Sequence, residues 1–68
     1  MPLIMVYTLE GKTQEQKNKW IEELTRVTLE VTGLTDPSRC TVIIQEVPKQ
    51  HWAKGGVTYA DRAQDQQS

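Results

Sequence analysis

Pro2 stands directly behind Met1 and opens the apolar run Leu3-Ile4-Met5-Val6-Tyr7. With Met1 removed, its nitrogen is a secondary amine, a base that no side chain offers. A chain terminus ordinarily frays into solvent. An amine fused to a buried strand is instead held in one place and partly desolvated. Other reactive groups are sparse. Cys40 is the only cysteine and His51 the only histidine, so an internal disulfide is excluded and a protein-only zinc site has too few soft ligands. Cys40 reads as a small buried hydrophobe and His51 as an exposed loop residue. Nothing calls for a metal or a cofactor.

The elements that must hold Pro2 follow from the pattern. Residues 2–8 read as a strand: Ile4, Val6 and Tyr7 favour it, and Pro2 is tolerated at its first position. Ile4 and Val6 fall on one face, and Leu3, Met5 and Tyr7 on the other. A strand apolar on both faces is covered on both. Residues 9–12 make a turn. Thr13, with Gln16 three residues on, forms a capping box that starts a helix running to Thr32, where Gly33 stops it. Trp20, Ile21, Leu24, Val27, Thr28 and Val31 form its apolar stripe. The opposite side pairs Glu15 with Lys19 and Glu22 with Arg26 at i,i+4. After a loop at 34–38, residues 40–47 form a second strand ended by Pro48. Lys49–Ala53 is a connector, Gly55-Gly56 a tight turn and Val57–Tyr59 a short extended piece. The polar tail from about Ala60 either frays or forms a short helix.

Strand, helix, strand implies a parallel pair with a right-handed crossover, so the fold class is α+β in one domain, residues 1–68. One helix covers one face of two strands, and an isolated pair of strands is marginal in water. Sixty-eight residues without disulfide or metal need another source of stability. Both points lead to oligomerisation. The net charge of −1 with interspersed signs lacks the basic patch of a nucleic-acid binder. No run spans a membrane and no signal-peptide pattern is present, so a cytoplasmic location is expected.

In this order and spacing the chain resembles the 4-oxalocrotonate tautomerase family, from Pro2 to about Val57. The resemblance rests on Met1-Pro2 opening a strand, on Leu9-Glu10-Gly11-Lys12-Thr13 followed by Glu15-Gln16-Lys17, on Val42-Ile43-Ile44-Gln45-Glu46-Val47, and on Trp52 shortly before Gly55-Gly56. It implies a β-α-β unit with a C-terminal hairpin, assembled as a hexamer of identical chains or mixed with a related chain. It also implies a cofactor-free enzyme whose Pro2 is a general base, moving a proton in an enol or unsaturated keto acid.

The family's two helper arginines do not carry over intact. The turn position holds Lys12, which keeps the charge but lacks the fork for a carboxylate. The strand position falls on Thr41. Arg39, two residues earlier, shares a face with Thr41 if the strand extends that far, and Arg62 is a further source of charge. Trp52 matches the aromatic wall. The expected site is therefore catalytic Pro2 with substrate-binding Lys12, Arg39, Thr41 and Trp52, and it favours substrates with one carboxylate or none. Two alternatives accompany it. One is hydration or dehalogenation of an unsaturated acid, with Glu10 or Glu46 activating water. The other is an incomplete subunit that borrows cations from a partner chain.

Overall fold

β-Branched and aromatic residues behind Pro2 build a first strand, β1 (Leu3–Leu9), and the computed structural model places a second, β2 (Thr41–Val47), beside it. The structure describes residues 1–66, with side chains up to Arg62 in the last helix. The strands are parallel, in register from Leu3 opposite Thr41 to Leu9 opposite Val47. Between them runs α1 (Gln14–Thr32). Its start is the expected box: Thr13 Oγ1 accepts from the Gln16 N–H at 3.1 Å, and Gln16 Oε1 accepts from the Thr13 N–H at 3.0 Å. Gly33 ends it with φ 76°, its N–H donating to the Leu29 carbonyl. A side chain there would be strained in the left-handed conformation.

The helix packs with a rotated stripe. Lys17, Trp20, Ile21, Leu24, Thr25, Thr28 and Leu29 are half-buried, whereas Val27 and Val31 are exposed, Val31 at 79 %. This corrects the stripe read from the sequence. The 3-10 turn Pro37–Arg39 lies on the Thr25–Leu29 side, where Pro37 lines a groove with both. Thr25 fits there because its hydroxyl donates back to the Ile21 carbonyl at 2.9 Å, so no polar hydrogen is stranded. The ion pairs also differ. Arg26 pairs with Glu23 at 2.9 Å and Glu30 at 3.1 Å, not with Glu22, and Lys19 makes no pair with Glu15. Glu23 and Glu30 stand three and four residues from Arg26, as close along the helix as Glu22.

Beyond β2, a 3-10 turn at Lys49–His51 leads into a hairpin of β3 (Ala53–Lys54) and β4 (Val57–Thr58), then α2 (Tyr59–Gln66). Gly55 and Gly56 make the turn with φ 61° and 82°, the left-handed pair that a tight hairpin requires. The tail is thus helical to Gln66; its last two positions lie outside the described residues.

The sheet has two unlike faces. Ile4, Val6, Thr8, Val42, Ile44 and Glu46 lie under α1, and Thr8 is buried at 8 %. Leu3, Met5, Tyr7 and Ile43 share the opposite face and are 57, 52, 61 and 40 % exposed. Among the described residues no apolar side chain is buried. The Cα radius of gyration is 15.9 Å, against about 11 Å for a compact chain of this length. One chain alone does not enclose a core.

Candidate active site

The first end of the sheet carries Pro2, the expected base. Pro2 precedes β1 and is half-buried, and its carbonyl accepts from the Thr41 N–H at 3.0 Å. The residue at the head of β1 is therefore tied to the head of β2. Thr41 is exposed on the bare face, opposite Leu3. Arg39 does not join it. The strand begins only at Thr41, and Arg39 belongs to a 3-10 turn that Asp36 caps through Ser38 and Pro37 initiates. The condition under which Arg39 and Thr41 would share a strand face is not met. Asp36-Pro37 announced this turn, since aspartate caps and proline is favoured at the first helical position.

The far end of the sheet carries the cation. β1 advances about 3.3 Å per residue, so the Leu9 end lies roughly 20 Å from Pro2. Gly11, with φ 118°, turns the chain there and Lys12 follows. Three ties fix this turn to the end of β2. The Glu10 N–H donates to the Val47 carbonyl at 3.1 Å, the Lys49 N–H donates to Glu10 Oε2 at 3.0 Å, and Lys17 Nζ meets Glu46 Oε1 at 2.8 Å. Lys17 and Glu46 are partly withdrawn from solvent, at 19 and 30 % side-chain exposure. The hydrogen bond from Lys17 holds the Glu46 carboxyl below its ordinary range, and the Lys17 charge, the Gly11 N–H and the Lys12 charge act in the same sense.

Trp52 belongs to the arm beyond β2. Its ring meets Tyr59 edge-on, centroids 6.2 Å apart at 64°, and its carbonyl accepts from the Tyr59 N–H at 2.7 Å. Arg62 Nη2 donates to the Lys54 carbonyl at 2.7 Å, so Arg62 braces the hairpin. Within one chain the expected residues thus fall into two groups: Pro2 and Thr41 at one end of the sheet, with the Arg39 turn leading into that end, and Lys12 at the other, beyond which the chain continues to Trp52. One small substrate cannot touch Pro2 and Lys12 of the same copy. Sequence reasoning missed the Lys17–Glu46 pair, which joins residues 29 apart in the chain. Its signal was faint: Lys17 falls on the sheet-facing side of α1 and Glu46 on the helix-facing side of β2.

Comparison with known proteins shows the family and the fold. The family profile described as Tautomerase enzyme matches residues 2–62. The chain is 40% identical over 58 residues to 2-hydroxymuconate tautomerase of Pseudomonas putida, covering 85% of this chain and 90% of that protein. Among solved structures it is similar to TomN, a 4-oxalocrotonate tautomerase homologue of the tomaymycin biosynthetic pathway, with TM-score 0.85 and 35% identity over 93% of this chain and 95% of that one. It is also similar to a heterohexamer 4-oxalocrotonate tautomerase from Chloroflexus aurantiacus, with TM-score 0.80 and 33% identity over 90% of this chain and 97% of that one.

Proposed function

Because the chain belongs to the tautomerase family, we propose that it is a cofactor-free isomerase whose general base is the Pro2 amine, freed by removal of Met1. The observation that carries this reading is the placement of Pro2: half-buried, at the head of β1, with its carbonyl fastened to the Thr41 N–H. A base works best with its pKa near the working pH. Desolvation and a nearby cation both disfavour the protonated amine and bring it down toward that range.

The reaction is a proton relocation. The Pro2 nitrogen takes the enol O–H proton, an oxygen electron pair forms the carbonyl, and the π pair of the carbon–carbon double bond, relayed through any conjugation, forms the new C–H bond with the proton that Pro2 returns. Lys12 steadies the developing oxyanion or a carboxylate as a point charge. Since Pro2 and Lys12 of one copy are a sheet length apart, the site forms where the Pro2 end of one copy meets the Lys12 end of another. The bare face of Leu3, Met5, Tyr7 and Ile43 supports the same assembly, each such side chain, already about half covered, contributing on the order of 1 kcal/mol when the rest is buried. We take the assembly to be a hexamer.

The substrate class is an enol or unsaturated keto acid with fewer than two carboxylates. Thr41 offers no cation, Arg39 sits on its own turn and Arg62 is engaged with the hairpin. A mixed hexamer is the second reading. Thr41 stands where the family's second arginine is expected, and the Chloroflexus relative is itself a heterohexamer. Restored activity on mixing with a related chain would support it. Hydration or dehalogenation finds less support, because Glu46 is held by Lys17 and Glu10 by the Lys49 N–H.

The test is Pro2→Ala on protein whose intact mass shows Met1 gone, assayed with the enol of phenylpyruvate. Turnover is expected to fall by about 100-fold or more. Unchanged turnover would move the chemistry elsewhere.

A further inference from the structure

The chain leaves the sheet at Pro48 and forms an arm that is tied to itself. The Tyr59 N–H donates to the Trp52 carbonyl at 2.7 Å, and the two rings meet edge-on. Thr58 Oγ1 accepts from the Asp61 N–H at 3.2 Å, and Arg62 Nη2 donates to the Lys54 carbonyl at 2.7 Å. α2 also packs on the 3-10 turn at Lys49–His51. The arm therefore holds its own shape, but its angle to the sheet has fewer determinants. Among the described residues one hydrogen bond crosses from the β-α-β unit to the arm, from the Lys49 N–H to Glu10 Oε2 at 3.0 Å, joining residues 39 apart. Pro48 precedes the 3-10 turn and makes no side-chain cap, so the first N–H of the turn lacks a local partner. Glu10 reaches it from across the sheet, because its own N–H donates to the Val47 carbonyl at 3.1 Å and prolongs the β1–β2 ladder by one residue.

We propose that Glu10 is a positioning residue: by holding the Lys49 N–H it fixes the attitude of the arm, and with it the place of Trp52 relative to Lys12. The proposal rests on the proton-transfer reading above. Lys12 follows Glu10 by two residues. Trp52 follows Lys49 by three, and its N–H donates to the Lys49 carbonyl at 3.5 Å. One carboxylate thus spans the turn that bears the cation and the arm that bears the indole. A cation and an aromatic plane set in advance match a flat conjugated acid, and setting them in advance lowers the ordering cost of binding it. Glu10 is itself engaged by the Lys49 N–H and acts through Trp52, not on the reacting atoms. The other carboxylate at this end, Glu46, is turned to Lys17, so it does not take over the Lys49 N–H.

Backbone ¹⁵N relaxation on the unmodified and Glu10→Ala proteins tests the tie without any substrate. Residues 49–59 are expected to lose order, their order parameters falling from about 0.85 toward 0.6, while α1 keeps its own. Glu10→Gln retains an acceptor oxygen at the same reach and should restore that order, which a role for the charge alone would not. With the enol of phenylpyruvate, Glu10→Ala is expected to raise KM about fivefold with kcat kept, the size of one ordinary hydrogen bond, and Glu10→Gln to recover it. In a Trp52→Ala background Glu10→Ala should change KM no further, because it acts through Trp52. Unchanged order of the arm in Glu10→Ala, or losses that add in the double variant, would overturn the proposal. If Pro2→Ala keeps full turnover, the base reading fails, and the relaxation result still decides by itself whether Glu10 holds the arm.

Discussion

The two ends of the sheet are built in opposite ways. At the Pro2 end one backbone hydrogen bond, from Thr41 N–H to the Pro2 carbonyl, fixes the residue, and the side chains there are uncommitted. At the Lys12 end side chains do the fixing: Glu10 holds the Lys49 N–H, Lys17 holds Glu46, and Thr13 and Gln16 cap the helix that follows. The difference teaches what each role demands. A terminal amine is placed by the strand it begins, so almost any strand residue suffices behind it. A cation on a glycine turn has no strand to place it and needs a dedicated set of partners.

Breaking the assembly should have the largest effect, because it separates the two ends. Met5→Asp puts an unpaired carboxylate on the face that copies must share, at several kcal/mol per buried charge. It should reduce the protein to a species of single-chain size by sedimentation and abolish turnover. A soluble oligomer of unchanged size with full activity would show that this face is not where the copies meet.

Loosening only the Lys12 end should cost less. Glu46→Gln removes the partner of Lys17 and is expected to raise KM more than it lowers kcat, while Pro2 chemistry persists. The pH dependence carries a sign. The folded Glu46 carboxyl sits below its usual range, so its stabilising effect is present above the unfolded carboxylate pKa and is lost as pH falls through the folded value. Thermal melts of the two proteins should differ at neutral pH and converge in acid. Parallel melting curves at all pH values would remove Glu46 from the clamp. Thr13→Ala, which removes half of the capping box next to Lys12, should be milder still, at about 1 kcal/mol of stability. Urea unfolding measures it, and a loss of binding without a loss of stability would contradict a purely capping role.

Much of the fold was legible because it is local. The capping box, the left-handed Gly33, the Gly55-Gly56 turn and the alternation of β1 are decided by residues within four positions of one another. The two-faced β1 also announced the uncovered face. What escaped the sequence was longer in range or degenerate. Nothing in the periodicity says on which side of Trp20 the sheet lies, so Val27 and Val31 read as core although Thr25 and Leu29 occupy that side. Arg26 had several carboxylates within a turn, and helical spacing alone does not choose among them. The candidate site residues could be named from the sequence as types, but their spacing in the fold could not. Pro2 and Lys12 are ten residues apart in the chain and a full strand apart in space, so the contact that would join them lies between copies and is not a local property of the sequence.

The most direct measurement is the titration of the Pro2 nitrogen by ¹⁵N NMR in protein labelled at proline and fully active toward an enol. The expected result is a secondary amine titrating near neutral pH, coincident with the ascending limb of kcat/KM, as a base matched to its working pH requires. A Pro2 nitrogen that stays an amide behind Met1 and does not titrate in an active preparation would contradict it.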